Sequence, residues 1–570
     1  MLYFFAVWIL LLVVCSIVGT GMLSLLRVAP FERRGDRWIL SEWVGIIILS
    51  IALLAVSIVL PLNSLIGAVV VLTLCALSLA LAQTRSEVIA FIEALSRQKI
   101  ICGLALALVI ATITTQEVTW WDSGLYHYSS IQWLNQFGTV KGLSLLYGNL
   151  GFTSAWFALA APFNPAILEA RVSAVGTGFA FLLIALHFCG CVHHLVKGKG
   201  DISHWFFAAF SCLLLSATLL LPVARTILIS PSPDLPVTLL VGTTAWAMLL
   251  TSSSPQPPST GLNRAIVPLI LATGAVSLKL IGLPIFLIAS LFFLVNCRLQ
   301  IWQLLTAAGI VTVLLLPFLV VNVLTSACLL YPSTVVCFDL PWKNNAEMLQ
   351  QIAQETHNWA TWYPAAPPGI HPWLWSVWLW LQEGNSRRIM ALFIGLSAIV
   401  SVYVVKIARQ QRHYALLWPV AISAIGIPFF MITALVNRFL MAYLLMLPSF
   451  AIGLYLRQQL QQDRSGFIQS ILLRVPKHQP LMFSFAPLFL TALLTVGSLR
   501  SDVLRLLMPP RMQQVPVVET QINDISYWLP LNKELCWATN IPCAYGITQD
   551  ITFRDPAQGY RAGFMQKDPA

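Results

Sequence analysis

Residues 303–324 read QLLTAAGIVTVLLLPFLVVNVL, a run of 22 residues without a charged side chain. A helix of about 20 apolar residues crosses the hydrocarbon core of a bilayer, so this run predicts a transmembrane helix. Similar runs recur along the chain of 570 residues, of which 58% are hydrophobic and only 10% are charged. Soluble domains carry about 25% charged residues. The sequence therefore predicts an all-α polytopic membrane protein.

Other classes of protein fit this pattern poorly. Strands of an outer-membrane barrel would alternate over segments of about ten residues, whereas these runs are continuously apolar. The net charge of +11 does not indicate a nucleic-acid partner, because the basic residues cluster in short loops between apolar runs. The sequence contains no P-loop, so ATP-driven transport by this chain alone is unsupported. Met1–Leu26 has no basic segment before it, which favours a retained helix over a signal peptide.

About fourteen apolar runs are predicted to span the membrane. They cover residues 2–26, 39–60, 65–82, 100–115, 169–192, 204–222, 235–251, 265–278, 282–297, 303–324, 389–407, 414–435, 439–456 and 481–498. Lys and Arg mark cytoplasmic loops. With fourteen spans, almost all basic loops fall on one side, and both chain ends fall on the other. We therefore predict a multi-pass protein of the bacterial inner (cytoplasmic) membrane with both termini extracytoplasmic.

The same orientation predicts three regions along the chain. Residues 1–99 hold N-terminal transmembrane helices. Residues 100–498 form a core whose outer loops are 116–168 and 325–388, with helices lying on the membrane surface. Residues 499–570 contain Pro, Trp and Cys, and we expect a small ordered extracytoplasmic cap there.

Eleven cysteines give weak support to this arrangement. Two close pairs, Cys328 with Cys337 and Cys536 with Cys543, lie in segments predicted to be outside, where a disulfide in each pair is expected. Cys189, Cys191, His193 and His194 have the residue types of a zinc site. They end a predicted helix with no second cluster nearby, so small apolar packing is the simpler interpretation for the cysteines.

Residues 117–156, EVTWWDSGLYHYSSIQWLNQFGTVKGLSLLYGNLGFTSAW, form the most polar segment of this part of the chain. Glu117, Asp122 and His127 are candidate catalytic residues, since a carboxylate at a membrane boundary is a functional candidate by default. Asp122 fits a general base or a substrate-positioning group, and the alternative is a helix N-cap. Glu117 has the alternative of marking only the boundary. Tyr126 and Tyr128 follow closely as candidate substrate-binding residues, and SSIQWLNQFG predicts a short helix on the membrane surface.

A second carboxylate, Asp234, follows a turn broken by three prolines, in RTILISPSPDLP at residues 225–236. The turn is predicted to lie on the same face as Asp122. Asp234 either caps the helix that follows or faces Asp122 across a cavity as a second active-site carboxylate. Two carboxylates on one face suit general-base chemistry or the binding of a divalent cation, although no spacing here specifies a metal.

Three cations complete the set of candidates. Lys279 stands inside the apolar run AVSLKLIGLP, where a lysine must snorkel, pair with an anion, or face a polar cavity. Arg225 and Arg438 begin or end predicted helices on the outer side. Together the three could hold a phosphate or pyrophosphate near the outer leaflet, and interface anchoring is the alternative.

WWDSGLYHYSSIQWLNQFG at residues 120–138, placed after an apolar helix and followed by further long outer loops, resembles the first large loop of the GT-C superfamily of integral-membrane glycosyltransferases. The resemblance covers residues 100–460 in architecture. GLYHYSSIQW, SPSPDLP and LYPST also look similar to a group of bacterial membrane proteins. The GT-C resemblance implies that Asp122 is the catalytic carboxylate or one of a pair. It also implies a sugar donor of the polyprenyl-phosphate type.

The function expected on this basis is transfer of a sugar to an acceptor hydroxyl on a glycan, lipid or protein. Asp122 would take the hydroxyl proton, while Arg225, Lys279 or Arg438 would stabilise the departing lipid phosphate. Asp234 would position the acceptor or a metal ion. The competing hypotheses are a transporter or flippase of a lipid-linked or anionic substrate, and a non-catalytic membrane assembly subunit.

Overall fold

Twenty α-helices occur in the part of the chain that the computed structural model describes, which is residues 1–168, 171, 174–253, 262–357, 359–461, 506–531, 535–547 and 550–567. The first eight are α1 Leu2–Leu25, α2 Arg34–Ser57, α3 Ser64–Ala80, α4 Ala82–Glu93, α5 Arg97–Thr114, α6 Tyr128–Gln136, α7 Leu143–Leu146 and α8 Ala155–Ala160. The remaining twelve are α9 Val175–Val196, α10 Ile202–Leu220, α11 Pro222–Leu228, α12 Asp234–Ser253, α13 Ile266–Leu278, α14 Leu283–Asn296, α15 Ile301–Ser326, α16 Ala346–His357, α17 Pro372–Gln382, α18 Asn385–Gln411, α19 Leu417–Thr433 and α20 Asn437–Gln461.

Ten of the described helices are long and apolar enough to cross a membrane, and the number rises to eleven if α3 and α4 are one span bent by 99°. The chain is therefore a multi-pass α-helical membrane protein. α4 lies where the sequence predicts a basic loop. Each predicted span before residue 460 corresponds to a described helix, although α13 and α14 are short. The fourteenth predicted span, 481–498, lies outside the described residues.

Burial separates the helices at the centre of the bundle from those at its edge. Over its most apolar window, α12 is 94% buried inside the protein, whereas α15 and α18 are only 22% buried. All three are apolar enough to cross a membrane, but they differ in position: α12 packs against other helices, whereas α15 and α18 lie at the edge of the bundle. The first residue of the central helix is Asp234.

α13 and α14 form a short hairpin whose tip is Lys279. With 13 and 14 residues at about 1.5 Å per residue, each helix is only about 20 Å long, less than the roughly 30 Å core of a bilayer. At the end of the hairpin opposite Lys279, Asn263 Nδ2 donates to the carbonyl of Asn296 at 2.9 Å. The Lys279 tip lies level with the start of α12, because Lys279 pairs with Asp234, the first residue of that helix.

The helix predicted over SSIQWLNQFG corresponds to α6, which other parts of the protein cover on two sides. Trp133 is buried, with Tyr560 and Phe564 of the tail against its ring at 6.1 Å each, and Asn135 Nδ2 donates to Ala161 at 2.9 Å. Tyr560 and Phe564, which cover Trp133, belong to the C-terminal region, and no local signal in the sequence indicates this contact.

The C-terminal region adds β-structure to the predicted all-α class. β1 Val517–Ile522 pairs antiparallel with β2 Ile525–Pro530, and β3 Ile551–Phe553 pairs antiparallel with β4 Phe564–Gln566. The first hairpin turns at Asn523, whose φ of 50° lies in the left-handed region that Asn tolerates. We call residues 506–567 the cap, within the described ranges.

The cap, the N-terminus and two loops meet at one end of the bundle. Tyr3 N–H donates to the carbonyl of Leu507 at 3.1 Å, and Phe564 N–H donates to that of Lys141 at 2.9 Å. Gln566 N–H donates to the carbonyl of Pro341 at 3.1 Å. This end, which we call the cap end, is the one that the loop charges predict to be extracytoplasmic.

Candidate functional site

Four charged side chains from distant parts of the sequence meet at the cap end of the bundle. They are Asp122, Asp234, Lys279 and Arg438, and we call them the ion-pair cluster. Asp122 precedes a turn of π-helix at Ser123–His127. The other three stand at helix boundaries: Asp234 begins α12, Lys279 follows α13, and Arg438 is the second residue of α20. Helix ends thus bring all four charges to one level of the bundle.

Arg438 joins the two carboxylates. Its Nη2 donates to Asp122 Oδ2 at 3.1 Å, and its Nε lies 3.0 Å from Asp234 Oδ2. The guanidinium also lies over two aromatic rings, with centroids 5.0 Å away for Trp120 and 4.9 Å away for Phe439. A planar guanidinium can serve two acceptors and two ring faces at once, which an ammonium group cannot.

Asp234 is the more deeply buried carboxylate, with only 2% of its side chain exposed. It forms an ion pair with Lys279, whose ammonium lies 4.5 Å from the centroid of Phe439. The N–H of Asp234 donates to the hydroxyl of Ser232 at 3.3 Å, so Ser232 serves the start of α12. The Asp234 carboxylate is left for the two cations, which favours the site interpretation over the capping alternative.

Asp122 is less enclosed, with 15% of its side chain exposed. The carboxylate makes no capping hydrogen bond to the π-helical turn that follows it. Burial raises the pKa of Asp122 above its usual value, the neighbouring Arg438 opposes this rise, and the charge of Asp234 adds to it. A carboxylate that is reachable and has a raised pKa is suited to accepting a proton.

His127 and Tyr126 are buried residues beside the ion-pair cluster. His127 is fully buried, and burial lowers its pKa to about 3, so the imidazole is neutral at physiological pH. Its Nδ1 lies 3.4 Å from the hydroxyl of Ser123, and its Nε2 has no hydrogen-bond partner among the described residues. The Tyr126 ring packs edge-on against His127 at 4.5 Å, and burial raises the pKa of Tyr126 well above its usual value. Both residues are neutral groups near the charges.

Three predicted site residues lie elsewhere. Glu117 is exposed, and Arg225 donates to the side-chain oxygen of Gln116 at 3.2 Å. Tyr128 packs into a separate buried group with Trp537 of the cap. Their predicted roles in catalysis or phosphate binding gain no support from this geometry, because position along the sequence does not determine which face of a turn a side chain occupies.

Comparison of the chain with known proteins finds one matching family. Residues 1–445 match the model of a family described as a domain of unknown function, DUF8201. The chain belongs to this family. The matched residues include all four members of the ion-pair cluster and stop before the cap. No curated protein and no solved structure matches the chain.

Several contributors to the site were missed in the sequence. Trp120 was not among the predicted site residues, yet its ring lies under Arg438. Phe439 contacts both cations. Its signal is the pair Arg438–Phe439 itself, because an aromatic residue beside a cation at a helix start offers a cation–π partner.

A further contact that the sequence analysis missed joins the cap to the turn that follows Asp122. Trp537 N–H donates to the carbonyl of Gly124 at 3.0 Å. A Cβ on Gly124 would lie 2.5 Å from Trp537 Cδ2 and Cε2, so only glycine allows this approach. The 413 positions between the two residues left no local signal in the sequence.

Both predicted disulfides are present, joining Cys328 to Cys337 and Cys536 to Cys543. Cys189 and Cys191 are buried free thiols. Among the described residues, no group of three or more His, Cys, Asp and Glu side chains is arranged to hold a metal ion. The two carboxylates of the cluster are paired with two protein cations, Arg438 between them and Lys279 beside Asp234.

Proposed function

We propose that the protein is a membrane glycosyltransferase of the GT-C type, moving a sugar from a polyprenyl-phosphate donor to an acceptor hydroxyl. The observation that carries the proposal is Arg438 bridging Asp122 and Asp234, with Lys279 paired to Asp234 at the start of α12. The arrangement supplies a reachable carboxylate for the proton and two cations for a phosphate. These are the groups that displacement of a lipid phosphate requires.

In the proposed reaction, Asp122 accepts the proton of the acceptor hydroxyl as the oxygen attacks the anomeric carbon of the sugar. The bond between that carbon and the phosphate oxygen breaks, and its electron pair stays on the phosphate. The products are the glycoside with inverted configuration and the polyprenyl phosphate. The proton rests on Asp122 and returns to solvent or to the product phosphate, so the site is regenerated.

Lys279 and Arg438 would stabilise the leaving phosphate. Their side chains are 22% and 26% exposed, so each keeps a surface available to a ligand while it is paired with a carboxylate. Asp234, with 2% exposure, is better suited to holding these cations in place than to touching a substrate. This refines its expected role of positioning the acceptor or a metal.

The placement of the site suits a lipid-borne donor. The tip of the α13–α14 hairpin lies level with the first residue of α12, a helix long enough to span a bilayer, so the phosphate of a lipid can approach Lys279 at the membrane boundary. We further propose fourteen spans, a bacterial inner-membrane location, and the cap end facing the extracytoplasmic side, as the loop charges predict. The acceptor would then reach Asp122 from the aqueous side.

A transporter or flippase of a lipid-linked substrate is the second candidate. The observation that favours it is the hairpin interrupted at Lys279, because transporter binding sites are often built from broken helices. Such a protein would move the lipid without releasing its phosphate. Chemistry at the anomeric carbon therefore separates the two proposals.

The test compares the wild type with Asp122→Asn and Asp339→Asn, each purified in nanodiscs. Asp339 is a matched control because its carboxylate is fully exposed in an outer loop. Each protein is incubated with a panel of polyprenyl-phosphate sugars and acceptor glycans, and released polyprenyl phosphate is measured. We expect the wild type and Asp339→Asn to release it at equal rates. Asp122→Asn should be slower by about 10²–10⁴-fold, the usual contribution of a general base.

Equal release by all three proteins would contradict the role of Asp122. If no donor is cleaved, the same wild-type protein in liposomes is assayed for movement of a fluorescent polyprenyl-phosphate sugar between leaflets. Movement without cleavage would establish the transporter and refute the transferase.

A further inference from the structure

A polar cleft of about 420 Å³ opens in the cap. Its volume is within the range of about 300–1,000 Å³ that small-molecule sites occupy. Its lining includes Arg511, Gln514, Trp528, Ala538, Thr539 and Asn540. None of the reactions assigned to the ion-pair cluster uses this cleft.

The walls of the cleft are held in place by the surrounding backbone. Trp528 lies in β2, its N–H donates to the carbonyl of Pro542 at 3.0 Å, and its own carbonyl accepts from Ala544 at 3.1 Å. The Cys536–Cys543 disulfide closes the loop that carries Ala538, Thr539 and Asn540. A site with its shape fixed before binding loses less entropy when a ligand enters.

The chemistry of the lining fits a carbohydrate. Trp528 offers an indole face for the C–H side of a sugar ring. The amides of Gln514 and Asn540 each donate and accept, which matches sugar hydroxyls, and Thr539 adds a hydroxyl. The lining contains no carboxylate and one cation, Arg511, so an acidic sugar is accommodated as well as a neutral one. It also has too little apolar surface for a lipid chain.

The cleft lies close to the proposed catalytic carboxylate. Ala538 follows Trp537, whose N–H donates to Gly124, and Gly124 is two residues after Asp122. With about 3.8 Å between successive Cα atoms, the Cα atoms of Ala538 and Asp122 lie within about 20 Å of each other. One sugar chain can therefore occupy the cleft while its end reaches toward the ion-pair cluster.

From this placement, we propose that the cap cleft binds the sugar chain of the acceptor, so that the acceptor is a glycan. The inference rests on the proposed transferase function, since it assigns the acceptor of that same reaction. It also makes a prediction of its own: the protein binds oligosaccharides whether or not a donor is present.

The experiment measures binding of an array of neutral and acidic oligosaccharides to the full chain in nanodiscs, followed by titration of the best ligands. The variants are Trp528→Ala, Gln514→Ala and Asn540→Ala, with Tyr545→Ala as the control for loss of an exposed aromatic ring outside the cleft. Gln514 and Asn540 are exposed, so their variants are expected to fold even if Trp528→Ala does not. We expect the three cleft variants to weaken binding tenfold or more, with Tyr545→Ala unchanged.

The outcomes separate this proposal from the proposed function. Glycan binding that the cleft variants abolish, with no cleavage of any donor, would support the cleft and refute the transferase. Sugar transfer whose KM for the acceptor is the same in wild type and cleft variants would support the transferase and overturn the cleft. Binding of peptides in place of oligosaccharides would overturn the cleft assignment as well.

Discussion

Asp122 and Asp234 are the same residue type in different surroundings, and this difference assigns their roles. Asp234 has 2% of its side chain exposed and pairs with two cations, whereas Asp122 has 15% exposed and pairs with one. The first is a fixed anion that organises Lys279 and Arg438. The second keeps access to an incoming hydroxyl.

The pH dependence of sugar transfer should report on Asp122. Because burial raises its pKa, the base becomes protonated, and kcat/KM falls, at a higher pH than the value of about 3.9 for an ordinary aspartate. His127 is not expected to cause this loss, since its pKa is lowered to about 3. The measurement is a profile of kcat/KM from pH 4 to 9. A rate that stays constant down to pH 4 would contradict the assignment, and Asp122→Glu should shift the acidic limb.

Asp234→Asn should damage stability as well as activity. The change leaves Lys279 and Arg438 partly buried with less compensating charge, and breaking a buried ion pair costs about 3 kcal/mol. Thermal unfolding in detergent should show a clear fall in midpoint for Asp234→Asn but not for the exposed Asp339→Asn. Adding Lys279→Gln to Asp234→Asn should restore part of the loss. If the single Asp234 variant were as stable as the wild type, the pairing would have no structural role.

At the scale of elements, the contact between the cap and the turn after Asp122 requires a residue without a Cβ at position 124. Gly124→Ala should push Trp537 away, because the new Cβ would lie 2.5 Å from the indole ring. Overpacking of this kind costs about 1–3 kcal/mol. Limited proteolysis of the purified protein should show faster cleavage within the cap. Gly309→Ala is the control, since its Cβ would meet no atom within 4 Å, and equal cleavage of both variants would contradict the prediction.

The helices were predictable because apolar runs of bilayer length determine them locally. The sequence placed Asp122, Asp234 and Arg438 on one face of the membrane and offered, as one of two alternatives, that the two carboxylates face each other across a cavity. Which carboxylate pairs with which cation depends on helix packing over long sequence distances, such as the 316 positions between Asp122 and Arg438. The β1–β2 hairpin had a local signal, Asn523–Asp524 between two β-prone stretches. The contact of Tyr128 with the cap had no local signal in the sequence.

At the scale of the whole molecule, the cap end should lie outside the cytoplasm. Both Glu117 at the cap end and Lys197 at the opposite end are exposed, so single cysteines can report on them. In a background without the seven free cysteines, a membrane-impermeant maleimide added to spheroplasts should label Glu117→Cys and not Lys197→Cys. After lysis, both should be labelled. The reverse pattern in intact spheroplasts would invert the proposed topology.

The long separation of Asp122 from Arg438 also has a consequence for how the protein is made. Ribosomes add about 5–20 residues per second, so the 316 positions between the two correspond to roughly 15–60 s of synthesis. During that interval the Asp122 carboxylate is without its guanidinium, and the Trp537 contact is later still. Nascent chains and products truncated before residue 438 therefore carry an incomplete, inactive site. The proposed transferase would therefore act on lipid-linked sugars only after residues 1–438 have been synthesised.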